Sequence, residues 1–188
     1  MNDRDALALL RAATPTADGE AWADLGAGAG VFSRAIAALV GAAGHVYAVD
    51  VDGRAVRTLR AWAAEARGGP AVTVLQADVT GPLGLPPLDG VLMANVLHFV
   101  PDAEAVLPRI AGGLRPGGRL VLIEYEGRRP SPWVPYPVPA ARFRELAAGA
   151  GLTPPEVVAT RPSAFGGEMY VATALRAGDA TEPDRKDG

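Results

Sequence analysis

The stretch Asp24-Leu25-Gly26-Ala27-Gly28-Ala29-Gly30 decides the fold of this chain. It follows a short apolar run, residues 21–25, and opens directly into an amphipathic helical pattern that begins at Val31. Glycines at alternate positions allow a tight turn, and they let a ligand approach the main chain where side chains would otherwise collide. A strand, a glycine-rich turn and a helix in this order predict a nucleotide-binding turn.

A carboxylate further along the chain strengthens this interpretation. Asp50 closes the apolar run at residues 45–49, about twenty residues after Gly30. At this separation a carboxylate accepts hydrogen bonds from ribose hydroxyls in nucleotide-binding folds. The two signals together predict a ligand that contains a nucleoside.

Composition limits the classes of partner. The 188 residues predict one domain over residues 1–176 and a polar, disordered tail over 177–188. The net charge is −3 and Lys186 is the one lysine, so we expect no basic face for nucleic acid. The chain has no cysteine and only two histidines, which predicts no metal site. Without a secretory leader or an apolar run of membrane-spanning length, we expect a cytoplasmic protein with no membrane partner.

Strand and helix patterns alternate through most of the chain. A first helix over residues 3–13 is expected to cover the ligand site or the edge of the sheet. The predicted parallel strands are residues 21–25, 45–50, 72–75, 91–94 and 120–123. Further helices are predicted after Gly30, after an N-cap at Asp52, over 103–112 and over 140–150. Residues 128–139 are too rich in proline for a strand or helix, and two short strands are predicted around 156–160 and 168–175.

Five stretches, taken in order, resemble the successive signatures of class I S-adenosylmethionine-dependent methyltransferases. They are Asp24–Gly30, Val46–Asp50, Gln76–Val79, Asp89–His98 and Leu114–Leu122. The resemblance covers residues 21–124 well. It implies an α/β fold, a three-layer doubly wound Rossmann-like sheet of order 3-2-1-4-5-7-6 with strand 7 antiparallel.

The resemblance also implies S-adenosylmethionine as cofactor, with S-adenosylhomocysteine as product. The resemblance places three glycines, Gly26, Gly28 and Gly30, with Ala27 beside them, against the methionine portion of the cofactor. It places Asp24 near the amino group of the methionine portion, and Asn95 along the same portion. Asp50, followed by Val51, would hold the ribose hydroxyls. Asp78 would accept from the adenine amino group, with the Val79 amide near a ring nitrogen; alternatively, Asp78 only caps its own loop.

The expected activity is methyl transfer to a small-molecule acceptor by in-line displacement. Two alternatives stay open: an NAD(P)-dependent oxidoreductase and a protein that binds the cofactor without turnover. Dinucleotide sites prefer Gly-x-Gly-x-x-Gly, whereas here Gly-x-Gly-x-Gly is followed by Phe32 and Ser33, which favours the sulfonium ligand. The protein is expected to be a monomer or a homodimer.

Few residues are candidates for chemistry, because a sulfonium methyl group is already activated. If the acceptor must lose a proton, the candidate bases at the carboxyl edge of the sheet are His98, Glu124 and Tyr125. For His98 the alternative is a packed, hydrogen-bonded histidine. The candidate substrate contacts are His98, Trp133, Tyr136 and Tyr170. The last three residues, together with Phe165, would form an aromatic wall against the substrate. The alternative is that these aromatic residues only cover the core.

Overall fold

One seven-stranded sheet organises the molecule. The computed structural model of the chain describes residues 2–14, 17–163 and 166–178. The strands are β1 (Ala21–Leu25), β2 (His45–Asp50), β3 (Ala71–Gln76), β4 (Leu88–Ala94), β5 (Leu114–Glu126), β6 (Glu156–Pro162) and β7 (Glu168–Leu175). Their order across the sheet is β3-β2-β1-β4-β5-β7-β6. The first five strands pair in parallel, and β7 runs antiparallel to both of its neighbours, as expected.

Helices cover the two faces of this sheet. They are α1 (Asp3–Ala13), α2 (Val31–Val40), α3 (Gly53–Glu65), α4 (Ala103–Gly112) and α5 (Ala140–Gly149), with a 3₁₀ turn at Leu97–Phe99. Side chains alternate along β5: Leu120 and Leu122 pack in the core under α4 and α5, while Val121 and Ile123 pack in the core under α1 and α2. The three-layer arrangement is therefore confirmed.

Helix α1 lies over the β7–β6 side of the sheet. It contacts α2, β6 and β7, and it buries Ala6 and Leu10. Of the two positions expected for this helix, the structure shows the one at the sheet edge. The N-cap predicted at Asp52 is also confirmed, because its carboxylate accepts from the Arg54 amide at 2.9 Å.

Two strands begin three or more residues earlier than the sequence predicts. Strand β4 begins at Leu88, three residues before the predicted start at Val91. Strand β5 includes residues 114–119, which were predicted as a turn; the register slips between the pairs Leu88–Leu114 and Gly90–Arg119. The extra residues of β5 are accommodated as a bulge, with Gly117 at φ 77°.

No helix is found between β3 and β4 among the described residues. The proline- and glycine-rich loop over residues 81–87 takes that place, and its Leu83 and Leu85 pack against the core. A mainly apolar cavity of about 250 Å³ remains between this loop and α4. Of the predicted tail, residues 179–188 lie outside the described part of the chain. Over the described ranges, no helix combines the length and the apolar character needed to cross a membrane.

Candidate functional site

A cleft of about 820 Å³ lies at the carboxyl ends of β1, β2, β3 and β4. Six of the ten predicted cofactor residues line it: Gly26, Asp50, Val51, Asp78, Val79 and Asn95. The opposite wall comes from the 3₁₀ turn and α4, including Phe99, Val106 and Arg109. Ligands of open α/β sheets bind at this edge, where the strand order reverses.

The glycine turn leaves one position of the main chain open. Its three glycines have positive φ angles, 75° at Gly26, 54° at Gly28 and 83° at Gly30. A Cβ at Gly26 would lie 2.2 Å from Val96 Cγ2, and one at Gly30 would lie 2.7 Å from Leu59 Cδ2. A Cβ at Gly28 would meet nothing within 4 Å among the described residues. Gly26 and Gly30 are therefore needed for packing, whereas Gly28 borders open space.

Asp50 holds the glycine turn in place. Its Oδ2 accepts from the Gly28 amide at 2.7 Å, and its Oδ1 accepts from the Asp52 amide at 2.8 Å. A carboxylate oxygen can accept more than one hydrogen bond, so this side chain can still accept from ligand hydroxyls.

Asp78 stabilises its own loop. Its Oδ1 accepts from both the amide and the hydroxyl of Thr80, each at 2.8 Å. These hydrogen bonds hold the pKa of Asp78 below its usual value. Arg109 ties the same loop to α4, because its Nη2 donates to the carbonyl oxygens of Val79 at 3.1 Å and Thr80 at 2.7 Å. The sequence analysis missed Arg109, and no motif marks it.

Asn95 is strained and carries an unsatisfied oxygen. Its φ is 56°, and in the described part of the chain it is the single non-glycine residue with a positive φ. Its amide donates to the Ile123 carbonyl at 2.8 Å, and its Oδ1 is buried with no hydrogen-bond partner among the described residues. Strain and an unpaired acceptor at a cleft wall are typical of a ligand site.

Asp24 lies beneath the glycine turn and is not among the residues that line the cleft. It is 1% exposed, and its Oδ2 accepts from the Ser33 hydroxyl at 2.6 Å. Burial raises the pKa of Asp24 to about 7, partly offset by the Ser33 hydrogen bond. The sequence analysis did not identify Ser33 as this partner.

Two of the candidate bases are paired with each other. Nδ1 of His98 lies 2.6 Å from Oε2 of Glu124, and the backbone amide of His98 donates to Oε1 at 3.2 Å. Both side chains are buried, with His98 2% and Glu124 0% exposed. A carboxylate at Nδ1 holds a proton on that nitrogen, which leaves Nε2 as the acceptor of the neutral ring.

The structure separates the predicted aromatic wall into two parts. Tyr170 is 1% exposed, and its hydroxyl donates to the Val138 carbonyl at 2.8 Å, so it belongs to the core. Trp133 and Tyr136 are exposed, and the Tyr136 amide donates to the His98 carbonyl at 3.0 Å. Tyr125 is partly buried, with the Arg128 guanidinium 5.0 Å from its ring centroid. Phe165 lies outside the described residues.

Residues 23–122, more than half of the chain, match the family described as the methyltransferase domain. The ribosomal protein L11 methyltransferase of Dechloromonas aromatica (strain RCB) is 40% identical over 99 residues, which is 53% of this chain and 30% of that protein. The chain therefore matches less than a third of the length of that curated relative.

Solved structures share the fold over most of the chain. The 1,6-didemethyltoxoflavin-N1-methyltransferase of Burkholderia thailandensis, solved with 1,6-didemethyltoxoflavin and S-adenosylhomocysteine bound, is 26% identical with a TM-score of 0.73, covering 94% of this chain and 78% of that one. A SAM-dependent methyltransferase from Aquifex aeolicus is 20% identical with a TM-score of 0.74, covering 92% of this chain and 90% of that one.

Proposed function

Because the chain belongs to the methyltransferase-domain family, we propose that it transfers the methyl group of S-adenosylmethionine to a small-molecule acceptor. One observation carries the proposal: the cleft beside the glycine turn is lined by Asp50, Asp78 and Asn95, and the buried Oδ1 of Asn95 has no hydrogen-bond partner among the described residues. Acceptors of this kind suit a cofactor that carries a sulfonium, an ammonium and two ribose hydroxyls.

The residues of the cleft fit this cofactor one by one. Asn95 Oδ1 accepts from the ammonium, and Asp50 accepts from the ribose hydroxyls while it holds the Gly28 amide. Asp78 and the Val79 amide would bind the adenine edge. Arg109 keeps the loop that carries these two residues in position, because it donates to the Val79 carbonyl. When bound, S-adenosylmethionine supplies an activated methyl group, so the protein has mainly to orient the acceptor and exclude water.

The remaining predicted residues act through the main chain and the local charge. Gly26, Ala27, Gly28 and Gly30 shape the backbone against the methionine portion, and Val51 borders the ribose. Asp24 adds a buried carboxyl group beneath the turn. A positive ligand nearby favours the ionised form of that group, which would support binding above neutral pH.

His98 is the base in this proposal, and Glu124 positions it. Glu124 fixes Nδ1 of His98 as the protonated nitrogen, so Nε2 is free to accept a proton from a hydroxyl or amine acceptor. Tyr125, whose ring centroid lies 5.8 Å from that of His98, borders the acceptor side. Tyr170 has its hydroxyl committed to Val138, so no contact with substrate is proposed for it.

A small-molecule acceptor is supported by one structural neighbour and by the exposed aromatic residues. The neighbour from Burkholderia thailandensis is 26% identical and holds a small molecule together with S-adenosylhomocysteine. Trp133 and Tyr136 offer exposed apolar contact surface, and the Tyr136 amide donates to the His98 carbonyl. The rival is a protein acceptor, as in the relative that acts on ribosomal protein L11, which matches this chain over 30% of its own length.

Calorimetry followed by a transfer assay tests the proposal. We expect S-adenosylmethionine and S-adenosylhomocysteine to bind with micromolar affinity, and NAD not to bind. With a methyl-labelled donor and a fractionated cell extract, label should appear in the small-molecule fraction. Binding of NAD alone would overturn the cofactor assignment. Label confined to protein would overturn the acceptor class, and cofactor binding without any labelled product would favour the non-catalytic alternative.

A further inference from the structure

Residues 128–139, which we call the proline strap, are held rigidly against the 3₁₀ turn that forms part of the cleft wall. The strap contains five prolines, at positions 130, 132, 135, 137 and 139, and each fixes its own φ. Ser131 and Val134 exchange two backbone hydrogen bonds at 3.0 and 3.1 Å, which closes a tight turn around Trp133. Val134 and Val138 are buried and anchor the strap to the body of the protein.

Two further contacts pin the strap to groups of the site and the core, and a third holds Ala140, the residue that follows it. The Tyr136 amide donates to the His98 carbonyl at 3.0 Å, directly behind Phe99 on the cleft wall. The Tyr170 hydroxyl donates to the Val138 carbonyl at 2.8 Å, and the Ala140 amide donates to Glu126 Oε2 at 2.9 Å. The strap therefore does not need to become ordered when it binds a ligand.

This rigid segment exposes its largest apolar side chains. Trp133 is 83% exposed and Tyr136 is 46% exposed, and Phe99 beside them is 54% exposed. Covering the core, the simpler role for these aromatic residues, explains Tyr170 but cannot explain Trp133. Tyrosine and tryptophan offer large contact areas at a low cost in side-chain entropy.

Between Pro130 and Pro139 the strap offers aromatic faces and few free main-chain hydrogen-bond donors. Proline has no N–H group, and the amides of Ser131, Val134 and Tyr136 are already used within the protein. A flat π system can stack on the indole ring of Trp133 and the phenol ring of Tyr136 without main-chain donors.

We propose that the proline strap is a stacking platform and that the methyl acceptor is a planar aromatic molecule. The inference rests on the proposed function, because it names the acceptor class of the same site. Stacking on Trp133 and Tyr136 would hold the ring of the acceptor, and His98, whose carbonyl accepts from the Tyr136 amide, would take its proton.

The test compares two probes with one carbon skeleton and one hydroxyl group. 1-Naphthol is planar, and decahydro-1-naphthol is saturated and puckered. Each is titrated by calorimetry into the full chain saturated with S-adenosylhomocysteine. We expect 1-naphthol to bind and decahydro-1-naphthol to bind at least about tenfold more weakly, because only the planar ring can stack.

Variants locate the binding on the strap. Trp133→Ala should weaken 1-naphthol binding about tenfold, and Trp133→Phe should retain most of it. Trp62→Ala, which removes a partly buried indole from α3, outside the strap, should leave 1-naphthol binding unchanged. Equal affinity for the two probes, no binding of 1-naphthol, or an unchanged affinity in Trp133→Ala would each overturn the inference.

Two readouts separate the remaining explanations. S-adenosylhomocysteine is first titrated into the wild type and every variant. If it does not bind, the proposed function is contradicted. If it binds normally and 1-naphthol is not preferred over decahydro-1-naphthol, only this inference is contradicted. Sedimentation velocity is expected to be the same for the wild type and Trp133→Ala. Loss of a dimer in that variant would show that Trp133 serves a contact between two copies, and would overturn the platform.

Discussion

His98 and Glu124 form a closed pair: Nδ1 lies 2.6 Å from Oε2, and the His98 amide donates to Oε1 at 3.2 Å. Both carboxylate oxygens of Glu124 are thus bonded to one residue. The pair is buried at the carboxyl ends of β4 and β5, where an unpaired carboxylate would be costly. The position of the imidazole therefore depends on Glu124.

Removing Glu124 should destabilise the protein strongly. In Glu124→Ala, the His98 ring and amide lose their shared acceptor inside the core, and we expect a loss of about 3 kcal/mol in the free energy of unfolding. Glu145→Ala is the matched control, since that carboxylate is 68% exposed and pairs with Arg142 at the surface. The control should cost under about 1 kcal/mol. Urea unfolding measures both, and equal losses would contradict the structural role of the pair.

Replacing Gly28 should abolish cofactor binding and spare the fold. Gly28→Leu puts a side chain into the open space at the turn, with a strain of about 1–2 kcal/mol from the positive φ. Gly68→Leu is matched, because Gly68 has a φ of 73° and a Cβ there would also meet nothing within 4 Å among the described residues. We expect similar unfolding midpoints for the two variants, and loss of S-adenosylhomocysteine binding by calorimetry in Gly28→Leu alone. Unchanged affinity in that variant would show that the turn does not contact the cofactor.

Asp24 should make the stability of the protein depend on pH. Burial raises the pKa of Asp24 from 3.8 to about 7, so the folded state holds the proton more tightly than the unfolded chain. The resulting stabilisation is complete below about pH 4 and is lost as the pH rises through about 7. Asp24→Asn cannot ionise, so its stability relative to the wild type should improve by the order of 3 kcal/mol from pH 5 to pH 8. Urea unfolding at the two pH values measures this difference, and a constant difference would contradict the buried carboxyl group.

A methyl group at Gly90 should disrupt the centre of the sheet. Gly90 on β4 pairs with Trp22 on β1, and a Cβ at Gly90 would lie 2.2 Å from Trp22 Cε2. We expect Gly90→Ala to cost about 3 kcal/mol or more, because the buried indole has no space to move. Gly112→Ala, where a Cβ would meet nothing within 4 Å of the described chain, should be nearly neutral. Thermal unfolding of the two variants decides between these outcomes.

Gly90 also shows where the sequence was insufficient for the fold. The glycine turn and the hydrophobic periods predicted alternating strands and helices, the family resemblance implied the sheet order, and the observed order agrees. Strand β4 was predicted to begin at Val91, three residues after its observed start at Leu88. The glycine is inside the strand because the Trp22 ring packs against it, and a single sequence does not show which distant side chain occupies that space.

The same limit applies to the candidate site. His98 and Glu124 were both placed at the carboxyl edge of the sheet from the ends of their strands, but their contact depends on the register between β4 and β5. Tyr170 was grouped with Trp133 because both are aromatic residues of the last third of the chain. Strand β7 is covered on both faces, so no alternating pattern revealed that Tyr170 is buried.

The position of β7 also governs how the protein can be assembled during translation. Strand β6 leaves the ribosome before β7, yet β7 lies between β5 and β6 in the sheet. A nascent chain that ends after Pro162 therefore exposes the apolar edge of β5 and has nothing for β6 to join. Until Leu175 has emerged, that edge is open to pairing with other chains, which makes ribosome-stalled or truncated products of this protein prone to aggregation.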